Sequence, residues 1–312
     1  MRILLANPRG FCAGVRMAID VVDHVLRHQG PPVYVYHAIV HNKHVVDDFV
    51  SRGVTFVEDV ADVPRGATVV FSAHGIPPAV RQQAAERGLA VHDPTCPLVT
   101  KVHNEVIRYA REGYHIVFIG HRNHQEAIGT VGEAPDAMTI VETPEEAAAL
   151  TFPPEQKLAY ATQTTLSVTD AQRVIDVLIE RFPHIRRPPK EDICYATTNR
   201  QDAVSAWAAE ADVVLVVGSK NSSNSNRLVD RALELGTAGH LVDDESEVDP
   251  AWLLGAETVL VTAGASAPEA YVEGVIARLR REFGATVEER SLAEESVQFA
   301  LPRTVRKLAV VG

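Results

Sequence analysis

Residues 2–30 have the sequence RILLANPRGFCAGVRMAIDVVDHVLRHQG. The apolar run at 2–6 lacks polar alternation, as expected of a parallel strand that helices cover on both faces. Between residues 15 and 26, apolar side chains recur at i, i+3 and i+4 spacing, which predicts an amphipathic helix that ends near Gly30. A strand that leads through a polar loop into a helix is the repeating unit of α/β proteins.

The same alternation of apolar runs and helical patterns continues along the chain, and most of the runs are rich in β-branched residues. We therefore predict an α/β fold with mostly parallel sheets. The predicted strands are Arg2–Ala6, Pro32–His37, Thr68–Ser72, His115–Gly120, Thr139–Glu142, Leu158–Thr162, Asp212–Gly218, His240–Val242 and Thr258–Thr262. Further helices are predicted at Pro78–Arg87, Pro97–Arg111, Glu145–Leu150, Ser167–Arg181, Asn199–Ala209 and Pro268–Arg281.

Charge and hydropathy exclude several classes of partner. Thirty basic and forty-one acidic residues give the 312-residue chain a formal net charge of −11, whereas non-specific binding to nucleic acid or anionic membranes needs a basic face. The sequence has no apolar stretch of the ~18 residues that would span a bilayer. Residues 1–10 become polar too early for a signal peptide, so we expect a cytoplasmic protein.

The chain contains three cysteines, Cys12, Cys96 and Cys194. An odd number of thiols cannot pair completely, and a cytosol keeps thiols reduced. The sequence has no CxxC motif, which excludes ribbon-type zinc sites and thioredoxin motifs. Taken alone, the three cysteines are compatible with unrelated buried thiols, because free cysteine behaves as a small apolar residue.

A repeat follows the cysteines, because each one precedes two predicted strands that end in polar residues. The first strand exits carry His41, His124 and Ser222, which lie 29, 28 and 28 residues after Cys12, Cys96 and Cys194. The second exits carry His74, Thr164 and Ser266, at offsets of 62, 68 and 72 residues.

This repeat predicts three α/β lobes, arranged as a trefoil about a pseudo-threefold axis. Ligands of parallel α/β sheets bind outside the carboxyl ends of the strands, so the polar exits and the thiolates would converge at the axis. Strand exits are often polar, however, and matched offsets leave coincidence as the alternative. The predicted lobes are residues 14–96, residues 97–193, and residues 1–13 plus 194–283, followed by a C-terminal tail at 284–312.

Three converging thiolates favour zinc, copper(I) or an iron–sulfur cluster. Zinc would take a fourth ligand such as His124, which would give a closed structural site. A cubane cluster held by three cysteines leaves one iron without a protein ligand. That iron would bind a substrate oxygen and also deliver electrons. Because a closed zinc site leaves the six polar exits without a role, we favour the cluster.

The residues at the strand exits indicate a phosphate or diphosphate ligand. The loops GSKNSSNS, AHG and TAGAS expose backbone N–H groups near helix N-termini, and such groups bind anions. Any single Ser or Asn among them is equally compatible with a helix N-cap. The sequence has neither a P-loop nor a GxGxxG motif, so ATP and NAD are not indicated. The candidate hydrogen-bonding residues are His41, His74, Ser222, Ser223, Asn224 and Ser266.

Glu126 is the acid beside these groups, in the segment HRNHQEAIGT. A carboxyl group in a partly buried pocket holds a proton and donates it. The structural alternative is a glutamate in the first turn of a helix, where the helix dipole favours negative charge. The hydroxyl groups of Thr164 and Thr165 are candidates for a proton relay.

Ten ordered segments between residues 6 and 302 resemble the LytB/IspH family of 4-hydroxy-3-methylbut-2-enyl diphosphate reductases. This family catalyses the last step of the methylerythritol phosphate (non-mevalonate) route to isoprenoids. The segments are ANPRGFCAGVRMAI, IVHN, SAHG, TCPLVTKVH, HRNHQEAIGT, ATQTTLS, ICYATTNRQ, GSKNSSNSNRL, TAGASAPE and ESVQFALP.

The resemblance implies a trefoil of three lobes around an oxygen-sensitive [4Fe–4S] cluster, over which the C-terminal tail packs back. It implies that Cys12, Cys96 and Cys194 are the ligands and that the substrate hydroxyl binds the fourth, open iron. Glu126 matches the proton donor, with His124 and Thr164 in the same catalytic group. The positions that match substrate-holding residues, chiefly for the diphosphate, are His41, His74, His124, Thr164, Ser222, Ser223, Asn224 and Ser266.

The implied reaction is the reductive dehydroxylation of (E)-4-hydroxy-3-methylbut-2-enyl diphosphate to isopentenyl and dimethylallyl diphosphate. Electrons come from ferredoxin or flavodoxin in this family. The chain departs from the family at Gln125, where many relatives have Pro, and at Ala127, where Val is common. Two other functions remain open: an aconitase-like hydro-lyase that uses the same open iron without net redox change, and a zinc-stabilised module that binds phosphorylated ligands.

Overall fold

The apolar run at the start of the chain forms strand β1 (Arg2–Asn7), and the helical pattern after it forms helix α1 (Ala13–Gln29). The structure is a computed structural model that describes residues 1–308. All strand pairings within these residues are parallel, and the strands belong to three sheets. The α/β fold class with parallel sheets that the sequence predicts is therefore confirmed.

The first sheet has four short strands. Its central pairing places Val35 between Phe56 on one side and Val70 on the other. The strands are β2 (Val33–Tyr36), β3 (Val54–Val57), β4 (Thr68–Val70) and β5 (Ala90–His92), in the spatial order β3-β2-β4-β5. The helices that connect them are α2 (Lys43–Ser51) and α3 (Pro78–Glu86).

The second sheet has three strands and carries the largest number of helices. Its central strand is apolar and buried after its first residue, His115, and Phe118 in it is completely buried. The strands are β6 (His115–Ile119), β7 (Met138–Val141) and β8 (Leu158–Thr162), in the order β7-β6-β8. The helices are α4 (Pro97–Arg111), α5 (Gln125–Gly132), α6 (Pro144–Ala149) and α7 (Val168–Arg181).

The third sheet contains β1 together with strands from the last third of the chain. These are β9 (Val213–Val217), β10 (Ala238–Val242), β11 (Thr258–Ala263) and β12 (Thr286–Ser291), in the order β10-β9-β11-β1-β12. The helices of this part of the chain are α8 (Tyr195–Trp207), α9 (Ser223–Glu234) and α10 (Glu269–Phe283). A last helix, α11 (Arg303–Leu308), follows them.

Strand β9 shows why the strands lack polar alternation. Its side chains point alternately to the two faces of the sheet, and each face has its own core. Leu215 packs in the cluster that contains Val275 of α10, whereas Val216 packs in the cluster that contains Val204 of α8 and Leu228 of α9. Because helices cover both faces, every residue of the strand is apolar and buried.

The chain forms two compact units. Unit 1 contains residues 1–16, 40–48 and 195–298, and thus the whole third sheet. Unit 2 contains residues 17–39 and 49–194, with the first and second sheets, and the segment that begins at 299. The three predicted lobes correspond in number to the three sheets, and the lobe boundaries stay a prediction.

The sequence missed three strands and several helices. Strands β3 and β5 have only four and three residues, too few for an apolar pattern to be distinguished from a loop. Strand β12 lies in the predicted tail. It pairs with β1 and forms the edge of the third sheet, where charged residues such as Glu288 and Glu289 are tolerated. Helix α8 begins at Tyr195 rather than at Asn199, and α2, α5, α9 and α11 were not predicted.

Among residues 1–308, no helix combines the length and the apolar character that crossing a membrane requires.

Candidate active site

Each cysteine lies immediately before a helix. Cys12 precedes α1, Cys96 is the N-cap of α4, and Cys194 precedes α8. None of these three cysteines forms a disulfide bond, and all are partly exposed. The N-terminus of a helix carries a partial positive charge, so it favours a negatively charged group placed there. The three cysteines thus share a local environment that suits anionic ligands of a metal cofactor.

The same backbone hydrogen bond holds each cysteine. The Cys12 N–H donates to the carbonyl oxygen of Ala265 at 3.1 Å, the Cys96 N–H to Ala73 at 3.0 Å, and the Cys194 N–H to Thr164 at 3.0 Å. These acceptors follow β11, β4 and β8. Cys96 and Cys194 are therefore bonded to the strand exit that precedes them in the chain, whereas Cys12 is bonded to the exit of β11, which follows it. None of the three is bonded to the exit whose offset was counted from that cysteine.

In unit 1, the start of α9 and the exit of β11 bring four of the predicted residues together. Ser222 is the N-cap of α9, and its Oγ accepts from the N–H and Oγ–H of Ser225. The Oδ1 atom of Asn224 accepts from the N–H of Ala265 at 2.8 Å. The Ser266 hydroxyl donates to the carbonyl oxygen of His41 at 2.9 Å and lies 3.5 Å from the Ser222 hydroxyl. Ser223 occupies the first turn of the same helix.

Asn224 has an unused donor. Its side chain is buried, and its Nδ2 has no hydrogen-bond partner within residues 1–308. A buried N–H group without a partner costs about 1–3 kcal/mol. An anion at the N-terminus of α9 would satisfy this donor, and the positive end of the helix dipole favours a negative charge there.

Two glycines allow α9 to approach the sheet this closely. A Cβ added to Gly218, at the end of β9, would lie 2.3 Å from the Ser225 Oγ, and one added to Gly264, at the end of β11, would lie 2.0 Å from it. Any side chain at either position would therefore displace Ser225 and with it the N-cap. The glycines in the GSKNSSNS and TAGAS loops fix the helix N-terminus between two strand ends.

In unit 2, the first turn of α5 brings His124 and Glu126 together. His124 is the N-cap of this helix, and its Nδ1 accepts from the Glu126 N–H at 3.1 Å. The proton of a neutral His124 is therefore on Nε2, which makes that nitrogen a donor. The ring of His74 lies perpendicular to the His124 ring, with 5.7 Å between the centroids.

Ser72 orients His74 and was not identified from the sequence. Its hydroxyl donates to the carbonyl oxygen of Ala38 at 3.0 Å, so its oxygen is left to accept from His74 Nδ1 at 2.5 Å. The backbone N–H of His74 also donates to the same oxygen. These contacts fix the ring and its tautomer, and serine two residues before a histidine is too common for a sequence to indicate this role.

Glu126 is buried and bonded to Thr164. Its Oε1 accepts from the Thr164 N–H at 2.6 Å, and its Oε2 accepts from the Thr164 hydroxyl at 3.0 Å. Burial raises the pKa of Glu126 to about 7; the two Thr164 hydrogen bonds oppose this shift, and the charge of Asp192 adds to it. Near neutral pH, Glu126 is therefore an acid that holds a proton and can release it.

Asp192, two residues before Cys194, is a second buried acid that the sequence did not single out. Its Oδ2 accepts from the Thr162 N–H at 3.0 Å, and its Oδ1 lies 2.8 Å from the Lys101 ammonium group. Burial raises the pKa of Asp192 above its ordinary value, and Lys101 opposes that shift. The ion pair with Lys101 connects the segment before Cys194 to α4, and the hydrogen bond from Thr162 connects it to the end of β8.

Three further residues that the sequence singled out, Thr165, Gln125 and Ala127, have positions that the local structure explains. The Thr165 hydroxyl accepts from the side-chain amide of Gln163 at 2.8 Å. Gln125 occupies the first position of α5, where proline also fits because the N–H group there has no partner within the helix. Ala127 is completely buried against α4 and β6. Neither departure from the family alters a predicted site residue.

No group of three or more His, Cys, Asp or Glu side chains in the described part of the chain is arranged to hold a metal ion.

Comparison with known proteins gives consistent matches over the whole chain. The family described as LytB protein matches residues 3–280. A 4-hydroxy-3-methylbut-2-enyl diphosphate reductase from Azoarcus sp. (strain BH72) is 53% identical over 305 residues, which are 98% of this chain and 98% of the relative. The reductase of the same name from Xylella fastidiosa (strain M12) is 54% identical over 312 residues and covers 98% of both chains.

Two solved structures are similar to this one. The E-1-hydroxy-2-methyl-but-2-enyl-4-diphosphate reductase from Plasmodium falciparum has a TM-score of 0.98 at 39% identity, covering 99% of this chain and 98% of that chain. An (E)-4-hydroxy-3-methyl-but-2-enyl diphosphate reductase, described as the terminal enzyme of the non-mevalonate pathway, has a TM-score of 0.63 at 32% identity. The match covers 90% of this chain and 100% of that chain. The chain therefore belongs to the LytB family of 4-hydroxy-3-methylbut-2-enyl diphosphate reductases, which are oxidoreductases.

Proposed function

We propose that this protein reductively dehydroxylates (E)-4-hydroxy-3-methylbut-2-enyl diphosphate to isopentenyl and dimethylallyl diphosphate. Its relatives at 53% and 54% identity carry the name of that reductase. The observation that carries the proposal is Glu126, a buried acid with a pKa of about 7 that Thr164 holds by both carboxylate oxygens. A reaction that expels hydroxide as water needs such a proton donor.

The cofactor we propose is a [4Fe–4S] cluster held by Cys12, Cys96 and Cys194. The donor set fits, because the three cysteines form no disulfide bonds and each lies before a helix with its N–H bonded to a strand exit. When bound, the cluster supplies electrons and, at the iron that lacks a protein ligand, a Lewis acid toward the substrate hydroxyl. No side chain supplies electrons, so the reaction needs such a group.

The diphosphate is proposed to bind at the start of α9. Ser222, Ser223 and Asn224 lie at the start of this helix, where its dipole favours an anion, and the unpartnered Nδ2 of Asn224 provides a donor. Ser266 and His41 are bonded to each other beside them. His74, His124 and Thr164 complete the proposed set of substrate-binding residues.

The proton chemistry is assigned to the first turn of α5. Protonated Glu126 gives its proton to the departing hydroxyl group, directly or through the diphosphate, so that the oxygen leaves as water. The two hydrogen bonds from Thr164 then stabilise the carboxylate that remains. Two electrons and a second proton complete the reaction; that proton adds to either end of the allyl-type anion, which gives the two products. The neutral His124 presents Nε2–H as a further donor.

The electrons are proposed to come from ferredoxin or flavodoxin, and the protein is proposed to act in the cytoplasm. The electron-carrier assignment follows from the family, and a one-electron carrier suits a cofactor that passes electrons singly. The acidic net charge of the chain is consistent with a partner other than nucleic acid.

Anaerobically purified protein tests this proposal. Iron, sulfide and zinc are measured first, and turnover of the diphosphate substrate is then followed with and without a reductant. We expect about four irons and four sulfides per chain and products that form only with reductant. Turnover that needs no reductant would indicate a hydro-lyase instead. A colourless protein with stoichiometric zinc after reconstitution, and binding of phosphorylated ligands that survives conversion of all three cysteines to serine, would indicate a binding module.

A further inference from the structure

Beneath the loop that carries His74, a buried histidine and a buried carboxylate form a pair that the proposed reaction does not use. His103 of α4 and Glu133, which follows α5, are joined by a 2.9 Å contact between Nδ1 and Oε1. Their side chains are only 5% and 8% exposed. Burial lowers the pKa of His103 despite the neighbouring Glu133, so the neutral ring donates its Nδ1–H to the carboxylate.

Glu133 is itself held from a third helix. Arg81 of α3 lies 3.0 Å from the Glu133 Oε1 and 3.6 Å from Asp93. The pair thus connects α3, α4 and α5, and its charged members are Arg81, Asp93 and Glu133. Because Arg81 and His103 both contact the Oε1 atom of Glu133, the carboxylate is held in place and orients the plane of the His103 ring.

The opposite edge of the His103 ring, with atoms Cε1 and Nε2, lies close to Gly75. Gly75 has a φ of +82°, which favours glycine, and an added Cβ would lie 2.9 Å from the His103 Cε1 and 3.0 Å from its Nε2. On α5, a Cβ added to Gly129 would lie 3.1 Å from the carbonyl of Gly75 and 3.2 Å from the N atom of Ile76. The backbone directly after His74 therefore has close contacts with both α4 and α5.

The His103 imidazole is not what stability alone would select at this position. Its Nε2 is buried and has no hydrogen-bond partner among residues 1–308. An apolar side chain of similar size would avoid the cost of about 1–3 kcal/mol that an unpaired buried polar group carries. What the imidazole provides is a rigid plane whose orientation is fixed by one directed hydrogen bond to Glu133.

We propose that His103, oriented by Glu133, is a positioning residue that holds His74 at its perpendicular contact with His124 by pressing on Gly75. The proposal rests on the proposed function in one respect: it assumes that His74 and His124 bind the substrate. Both rings lie at the start of α5, and Glu133 lies at its end. The network therefore sets the geometry of the binding residues without touching the substrate.

Substitution H103N separates the two contacts of the ring. Asparagine places an amide N–H near the former Nδ1, so the hydrogen bond to Glu133 is kept, while the ring atoms beside Gly75 are lost. We expect the KM and the anaerobic Kd of the diphosphate substrate, measured by calorimetry without reductant, to rise about tenfold, with kcat within about twofold of wild type. Substitution E133Q keeps an acceptor for Nδ1–H and is expected to change KM by less than about threefold.

H115N is the matched control. His115 is a partly buried histidine of the same unit that bonds to Thr139 at the amino end of β6, and its loss is expected to leave KM and Kd unchanged. Iron content is measured for every variant. A merely structural role for His103 predicts a smaller active fraction, with lower kcat and unchanged KM. That result, or a Kd equal to that of wild type, would overturn the proposal.

Crystal structures make this test independent of the substrate. Comparison of wild type with H103N, or with H103Q if the first variant does not fold, gives the separation of the His74 and His124 rings. A change of about 1 Å from the 5.7 Å separation is expected, and unchanged rings contradict the positioning role. If the wild-type protein fails to bind or reduce the diphosphate, the proposed function is wrong, and the ring separation still decides whether His103 positions His74.

Discussion

The start of α9 and the start of α5 show two different uses of a helix N-terminus. At α9, the groups are Ser222, Asn224 and Ser266, which are uncharged and do not titrate, and the buried Asn224 keeps an unused donor. At α5, burial raises the pKa of Glu126 to about 7, and Thr164 donates a hydrogen bond to each of its carboxylate oxygens. The first arrangement is suited to holding an anion, and the second to storing and releasing a proton. The comparison predicts that changes at α5 alter kcat and that changes at α9 alter substrate affinity.

The largest expected effect is that of E126Q. An amide has no proton to donate, so we expect kcat to fall by about 10²–10⁴, while the anaerobic Kd for the substrate and the iron content stay unchanged. Steady-state kinetics and calorimetry measure the two quantities. The matched control is E105Q, which changes a buried glutamate of the same unit that accepts from the Tyr109 hydroxyl at 2.6 Å. Near-normal turnover in E126Q would remove the acid from the mechanism.

The next effect concerns α9. In N224D the carboxylate still accepts from the Ala265 N–H, but the donor that faces the proposed diphosphate becomes a negative charge. We expect the KM and Kd of the substrate to rise about 10–100-fold with little change in kcat. Substitution N104D, at an exposed position of α4, adds the same charge as a control. If N224D lowered kcat and left the Kd unchanged, the assignment of separate roles to the two helices would be wrong.

A smaller effect is expected on the pH profile. Because Glu126 donates its proton only when protonated, kcat should decrease as the pH rises through about 7. The Thr164 hydroxyl donates one of the two hydrogen bonds that lower the pKa of Glu126. T164V removes this bond and keeps the one from the backbone N–H, so the decrease in kcat should move to higher pH, in addition to a lower kcat. T165V is the isosteric control, since the Thr165 hydroxyl is bonded to Gln163. A decrease that stays in place, or moves to lower pH, would contradict the assignment of the titration to Glu126.

The smallest effect concerns stability. The pKa of Glu126 is raised in the folded state, so this state binds the proton more tightly and loses stability relative to the unfolded state as the pH rises from about 4.5 to about 7. E126Q does not have this loss. The free energy of unfolding of E126Q minus that of wild type should therefore be larger at pH 8 than at pH 5, by up to about 3 kcal/mol. Urea unfolding of the cluster-free proteins measures this difference. An equal difference at both pH values would show that Glu126 does not titrate as proposed.

The sequence predicts some parts of the fold better than others for clear physical reasons. Strand β9 and helix α4 were predicted within one residue of their observed bounds, because the strand is apolar on both faces and the helix is strongly amphipathic. Helices α5 and α9 were missed, since His124 and Ser222 look like loop residues until their side chains are seen to cap a helix. Strand β12 was missed because half of its residues are charged, which only an exposed sheet edge allows.

The candidate site divides in the same way. Glu126 and Asn224 were identified from residue type and from resemblance to the family, but the groups that act on them were not. Ser72, Asp192 and His103 are common residues in unremarkable positions of the sequence, and each acquires a role only through a partner at least 30 residues away or through a loop that it supports. Patterns along the chain contain no information about such pairs.

The sequence by itself determined the α/β class, the residue types of the proposed site and the family, because all three depend on local patterns and on motifs of a few residues. The tertiary structure alone decided that Glu126 is an acid with a pKa near 7, since that value arises from burial and from Thr164. It also decided which strand exit each cysteine is bonded to, including the pairing of Cys12 with Ala265 from the far end of the chain. Burial and hydrogen bonding join residues that are distant in the chain, and they set the chemistry of side chains whose identity the sequence already gives.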